Sequence, residues 1–300
     1  MADERAGARA KPVRARARAK ADARARTATE VFFPETIGEL LQVQRRHPDA
    51  LIFAGGTYIL SQRTGRFVEL PPTVISLQEV EDLRRISRTE RHIELGSMVP
   101  IRQIIDLGQQ NIPRALFEAL RQIGPPAVTG LATVGGNLAV AGRIMTSVPV
   151  LTLLDARAEL RRQGEARWLP VGRIHRADGS LDLHADEIIT RIRIPLYPWT
   201  TQVFRRYGSE LVPESDPLAF CGLARTSNRI LEDLRITGSA GHPGMIRNKS
   251  MEAELVGRRL PLSDRDVHLA IEAYGEADGL SPIQRDRFRR LARWYLSSVR

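Results

Sequence analysis

The chain has 300 residues, enough for two domains or for one with an appendage, and 42% of them are apolar, which supports sizeable buried cores. Its one cysteine, Cys221, excludes a disulfide framework and a thiolate cluster for zinc or iron–sulfur, and no apolar run reaches the roughly 18 residues of a membrane span. The net charge of +10 is lopsided, because residues 1–26 hold nine Lys/Arg against three Asp/Glu and the rest of the chain carries only +4.

Residues 1–28 are low-complexity Ala/Arg/Lys without the apolar core of an export signal or a clean amphipathic face. They are expected to be a disordered basic tail or the product of a start codon assigned too early, with a nucleic-acid arm or targeting segment as the alternative. Val31-Phe32-Phe33-Pro34 reads as a short strand. Thr36 and Glu39 form a capping box for a helix with Ile37, Leu40 and Leu41 on its apolar face and its end near Pro48. Strands at 51–53 and 74–77 complete a strand–helix–strand–loop–strand unit with a small parallel sheet. A second unit begins with an alternating strand over 92–96. Pro100 opens a helix carrying Ile101, Ile104, Ile105 and Leu107, and a further helix over 113–123 stops at Gly124-Pro125-Pro126. Residues 148–154 look helical and buried, 158–162 and 167–169 alternate as strands, and 187–195 is a strong strand closed by Pro195. Beyond Pro198, residues 204–207, 218–224 and 229–237 suggest a three-stranded antiparallel meander. One helix follows Ser263, with Val267, Ala270 and Ile271 inward. Another is opened by Ser281-Pro282-Ile283-Gln284, and its Phe288, Leu291, Ala292, Tyr295, Leu296 and Val299 make a stripe that reads as core.

Two glycine-rich stretches stand out. Leu51-Ile52-Phe53-Ala54-Gly55-Gly56-Thr57-Tyr58 is an apolar run ending in two glycines and a hydroxyl, and Gly130-Leu131-Ala132-Thr133-Val134-Gly135-Gly136-Asn137-Leu138-Ala139 repeats those ingredients. Glycines permit positive φ and close approach of a ligand, and successive N–H groups in such turns make a concave anion site. Two loops of this kind can grip the two phosphates of a dinucleotide. A Gly-Gly pair serves equally as an ordinary turn, and Thr57 and Thr133 equally as turn caps. The Gly-x-Gly-x-x-Gly fingerprint of a Rossmann site is absent. The six histidines lack metal-ligand spacing, and Glu94, Asp106 and Asp155 read as solvent or capping carboxylates, so no acid, base or nucleophile is nominated.

Ala54-Gly55-Gly56-Thr57, Ala132-Thr133-Val134-Gly135-Gly136-Asn137-Leu138 and the strand over 187–195, in this order, resemble the FAD-binding (medium) subunit of the molybdenum hydroxylases, the xanthine dehydrogenase and carbon monoxide dehydrogenase type. The resemblance spans roughly residues 30–300. It implies an α+β fold: a two-subdomain FAD-binding module of the vanillyl-alcohol-oxidase/PCMH type over residues 29–198, divided near 85/86, then a C-terminal domain over 199–300 with a three-stranded antiparallel sheet and helices. FAD would lie between the subdomains with its pyrophosphate against both loops. On that match Ala54, Gly55, Gly56, Thr57 and Tyr58, with Thr133, Gly135, Gly136 and Asn137, carry over as FAD contacts. Ile189 matches a position near the isoalloxazine, and Arg205 falls near a basic position of the family. Two residues depart from the pattern. Tyr58 replaces a residue that is often acidic, placed to stack on or hydrogen-bond the cofactor, or to enter the core. Thr146 stands where the family usually has an Asp that helps hold FAD. A neutral hydroxyl accepts more weakly than a carboxylate, so weaker binding is expected unless Ser147 shares the task, with outright loss of FAD as the alternative.

The resemblance implies a cytoplasmic electron-transfer subunit of an oxidoreductase. A molybdenum-cofactor large subunit would hydroxylate the substrate, a [2Fe-2S] small subunit would pass electrons to FAD on this chain, and NAD⁺ or another acceptor would receive them. The lone cysteine agrees with metal centres on separate chains. The competing readings are a self-sufficient flavin oxidoreductase, which needs an acid or base that no pattern marks, and a non-enzymatic partner that has lost FAD. Nucleic-acid binding through the basic tail is disfavoured and would be steeply salt-dependent.

Overall fold

A computed structural model describes residues 29–62, 68–209, 211–212, 215–242, 244–274 and 280–300; the basic stretch 1–28 expected to be a tail lies outside the described residues. In chain order the first unit is β1 (Glu30–Phe32), α1 (Ile37–Arg46), β2 (Leu51–Phe53), α2 (Thr57–Ser61) and β3 (Thr73–Ser76). Its strands form the expected parallel sheet, in the spatial order β1-β3-β2. Thr36 caps α1 by accepting the Glu39 N–H at 3.2 Å, and the Glu39 carboxylate reaches one residue further back than a capping box requires, to the Glu35 N–H at 3.0 Å. The apolar face of α1 thereby settles Leu40 and Leu41 onto Ile75 and Leu77, in a core that also takes Met98 and Ile188 from the next unit.

The second unit is built on β4 (Ile86–Arg88), β5 (His92–Gly96), β6 (Arg157–Arg162), β7 (Glu165–Pro170) and β8 (Ile188–Pro195), an antiparallel sheet in the order β4-β5-β8-β6-β7. Between β5 and β6 come α3 (Ile101–Asp106), α4 (Arg114–Leu120), α5 (Pro126–Thr129), α6 (Val134–Leu138) and α7 (Ser147–Leu153). Period-2 alternation sends Ile93, Leu95, Ala158, Leu160, Ile192 and Ile194 to one face, where they close the largest core with these helices. The other face is charged. Here one expectation is corrected: Glu94 is not a solvent or capping carboxylate but is 9% exposed and accepts from Arg191 Nη1 at 2.8 Å and Arg193 Nε at 2.7 Å. Those partners arrive because β5 pairs with β8, placing Glu94 opposite Arg193. Asp155 likewise pairs with Arg235, whereas Asp106 remains an exposed i,i+4 partner of Arg102.

The third unit is the expected meander, β9 (Thr201–Tyr207), β10 (Leu218–Ser227) and β11 (Ile230–Ser239), followed by α8 (Lys249–Leu255), α9 (Asp264–Ala273) and α10 (Pro282–Ser298). Ser281 and Gln284 close a reciprocal capping box at the start of α10. Its apolar stripe is core: Phe288 and Tyr295 meet Phe220 edge-on at 5.7 and 6.1 Å. The meander serves two cores, because Phe204, Ala219, Cys221 and Leu223 join the second unit's interior. Cys221 is fully buried, and that burial pushes its thiol far above the ordinary range, so it is a packing residue.

Candidate functional site

The chain leaves β2 at Phe53, turns through Ala54, Gly55 and Gly56, and enters α2 at Thr57. Gly56 holds φ +68°, and a Cβ there would lie 2.5 Å from the Phe53 ring, so the turn admits glycine alone. Among the described residues no hydrogen bond closes on the N–H groups of Gly55, Gly56, Thr57, Tyr58 and Ile59; the next N–H, of Leu60, donates to the Gly56 carbonyl at 2.9 Å. Five consecutive half-exposed donors at the positive end of a helix form a cradle for an anion. The Thr57 hydroxyl sits in its first turn. The half-buried ring of Tyr58 packs against the large core of the second unit.

The second glycine stretch differs from expectation. Residues 130–139 are not an open loop, because Val134–Leu138 is α6. Thr133 is its N-cap, with Oγ1 accepting the Gly136 N–H at 3.1 Å. The N–H groups of Val134, Gly135 and Asn137 donate to the carbonyls of Val99, Ser97 and Thr133 at 3.1, 2.9 and 2.9 Å. The first two amides anchor the stretch against residues 97–99 and the third closes the first turn of α6, so the stretch provides no second backbone nest. What it offers is side-chain donors. The Thr133 hydroxyl still has its proton. Asn137 Oδ1 accepts from the fully buried Ser147 Oγ, which fixes the amide and leaves its Nδ2 without an acceptor among the described residues.

The two stretches touch. A Cβ on Gly55 would stand 1.8 Å from the Leu131 carbonyl oxygen, and one on Gly136 would stand 3.8 Å from Ala54 Cβ. The anion cradle of the first unit therefore opens beside the side-chain donors of the second. Ser97, beside Gly135, adds a buried hydroxyl with no hydrogen-bond partner among the described residues. Ile189, on β8, lies in the same core that receives Tyr58. Thr146 is buried and accepts from Arg206 Nη1 at 3.1 Å. Strand alternation separates Arg205 from that contact: it stacks over Trp294 at 5.4 Å and stands 3.8 Å from Glu118. Arg206 was missed in the sequence, although buried Phe204 sets the inward phase of β9 and makes residue 206 the inward basic position. A dinucleotide's pyrophosphate fits this donor set, which meets it with backbone N–H groups, hydroxyls and an amide. Among the described residues no group of three or more His, Cys, Asp or Glu side chains is placed to hold a metal, and no helix is long and apolar enough to cross a membrane.

Asn137→Ala should act twice. It strands the buried Ser147 hydroxyl, a cost of about 1–3 kcal/mol in a urea melt of the apoprotein, and it weakens FAD binding by about tenfold. Asn137→Asp keeps the acceptor for Ser147 but replaces the donor with a charge, so it should retain stability and still lose affinity in a flavin-fluorescence titration. Equal FAD affinity in all three proteins would remove Asn137 from the site.

A family model described as FAD binding domain in molybdopterin dehydrogenase matches residues 26–197. The chain is similar to the nicotinate dehydrogenase FAD-subunit of Eubacterium barkeri, 32% identical over 177 residues, a match covering 55% of this chain and 57% of that one. It is also similar to the putative xanthine dehydrogenase FAD-binding subunit XdhB of Escherichia coli strain K12, 24% identical over 236 residues, covering 76% and 78%. Among solved structures, quinoline 2-oxidoreductase from Pseudomonas putida 86 superposes with a TM-score of 0.76 at 22% identity, covering 91% of this chain and 95% of that one, a likeness of fold.

Proposed function

Because the chain belongs to the family of FAD binding domains in molybdopterin dehydrogenases, with FAD as its cofactor, we propose that it is the electron-transfer flavoprotein subunit of a multi-subunit molybdenum hydroxylase. The observation that carries this reading is the cradle of five N–H groups over Gly55–Ile59 set against the second glycine stretch. Residues 29–198 form the FAD-binding domain, divided near residue 85, and 199–300 the C-terminal domain. The N–H groups from Gly55 to Ile59 hold the pyrophosphate, with the Thr57 and Thr133 hydroxyls and the Asn137 amide as further donors. Ser147 holds that amide in place. Gly135 and Gly136 let α6 approach, Ala54, Tyr58 and Ile189 wall the site, and Arg206 with Thr146 supplies a positive group at its margin. Bound FAD supplies reversible electron transfer, which the protein positions and tunes. The partners are a molybdenum-cofactor large subunit and a [2Fe-2S] small subunit, the acceptor is NAD⁺ or another oxidant, and the complex works in the cytoplasm.

The test is co-expression with the partner chains, a visible spectrum, and release of the chromophore by denaturation. About one FAD per chain is expected. The assembled complex should then reduce NAD⁺ when its hydroxylation substrate is added. A chain that stays colourless with partners present and FAD supplied sinks the proposal, and a flavin-loaded complex that reduces artificial dyes but not NAD⁺ excludes that acceptor.

A further inference from the structure

α10 buries Phe288, Ala292, Tyr295 and Leu296 and turns Arg285, Arg289 and Arg293 outward at every fourth position. Together with Arg290, Asp286 and Ile271 of α9 they line a groove of about 360 Å³. Asp286 is taken by Arg290 at 2.9 Å. No carboxylate meets Arg285, Arg289 or Arg293 among the described residues, and Arg285 Nε is shielded from solvent without a hydrogen-bond partner. Like charges spaced i,i+4 repel along a helix, and here two such steps follow one another. The stripe covers about 12 Å of helix at 1.5 Å per residue, the span over which a facing helix presents acidic side chains at the same spacing. The other exposed flank of α10 carries Trp294, and Arg205 and Arg287 stack over the exposed Trp294 and Tyr207 rings at 5.4 and 5.6 Å. Arginine, tryptophan and tyrosine are the residues that dominate protein–protein contacts. Each of these rings already carries an arginine over one face.

We propose that the arginine stripe of α10 is a docking surface for an acidic helix or segment of a partner subunit. The partner's identity rests on the assembly proposed above, whereas its acidic chemistry rests on the groove itself. Complementary charge of this kind speeds encounter and fixes which face is used, and it is screened by salt.

The experiment co-expresses the full chain with the molybdenum and iron–sulfur subunits and compares wild type with Arg285→Glu/Arg289→Glu/Arg293→Glu. Subunit retention is read by affinity purification across a salt series, and FAD content and thermal midpoint are read on the flavin chain alone. Charge reversal should weaken retention at least about tenfold while FAD content holds. Partners retained at wild-type affinity by the folded variant overturn the docking surface alone, whereas a wild-type chain that never assembles overturns it together with the proposed function. If the triple variant fails to fold, Arg289→Gln decides. It should relieve repulsion within α10, leave the thermal midpoint unchanged or raised, and weaken assembly at low salt only; unchanged assembly at low salt overturns the proposal. Loss of RNA binding with subunit assembly intact assigns the groove to nucleic acid and overturns it as well.

Discussion

Gly55→Ala should leave a folded chain that no longer retains FAD. The added methyl has no free space, since its position lies 1.8 Å from the Leu131 carbonyl oxygen and 2.7 Å from the carbonyl carbon. Both are backbone atoms of a stretch fastened on either side, by the Leu131 N–H to the Val128 carbonyl at 3.1 Å and by the Ile101 N–H to the Ala132 carbonyl at 2.8 Å. The stretch cannot swing away like a flexible side chain, so the Gly55 turn must move. That motion separates the N–H cradle from Thr133 and Asn137. Overpacking of this kind costs about 1–3 kcal/mol, well within what a domain of this size survives. The loss of FAD should be larger, because several donors must converge on one pyrophosphate and lose their common geometry together. FAD content should fall to less than about a tenth of wild type, since every 1.4 kcal/mol is tenfold. Gly38→Ala is the control: its Cβ would meet only Thr36 Oγ1 at 3.8 Å, in the first turns of α1, and it should retain FAD with stability equal or up to about 1 kcal/mol greater. Full FAD in Gly55→Ala would mean that the contact between the stretches is unnecessary for binding.

Much of this architecture was legible locally because its signals are local. The cap at Thr36, the strand over 92–96, the cap and first-turn proline at 281–282 and the meander each follow from spacing within a few residues, and the structure places them within three residues. What stayed hidden depends on distant pairing. Residues 130–139 carry glycines that read as a loop, but the chain from Ser97 to Val99 takes up two of their amides and lets a helical turn form. Glu94 looks like any strand carboxylate until β8 delivers Arg191 and Arg193 to it. Arg206 is separated from Arg205 only by the phase of β9, which is set where Phe204 enters the core. The short elements β4, α5 and α8 have too few residues to show a period.

Glu94 is where that distant pairing should show most in stability. Glu94→Gln should destabilise the chain by about 1–3 kcal/mol at neutral pH, and the deficit should shrink in acid. Removing one partner of a fully buried ion pair costs about 3–5 kcal/mol. Arg191 and Arg193 are 38% and 42% exposed, so water screens them and the lower range applies. Arg191 also keeps Glu159 at 3.4 Å, and Arg193 keeps the Trp168 ring at 4.3 Å. For the carboxyl itself, burial pushes the pKa upward, but the hydrogen bonds and charges of Arg191 and Arg193 outweigh that and hold it below the ordinary value. A depressed folded pKa means that the unfolded chain binds the proton more tightly. The stabilisation is therefore complete above the unfolded value of about 4.3 and is lost as pH falls through the lower folded value. The neutral amide of Glu94→Gln has no such titration. Urea melts of the two proteins should accordingly converge as pH falls from about 5 to below about 4. Glu187, held below its ordinary range against burial by Arg167, destabilises both proteins alike in acid and so cancels from the difference. A difference that persists unchanged into strong acid would mean that Glu94 contributes packing rather than charge.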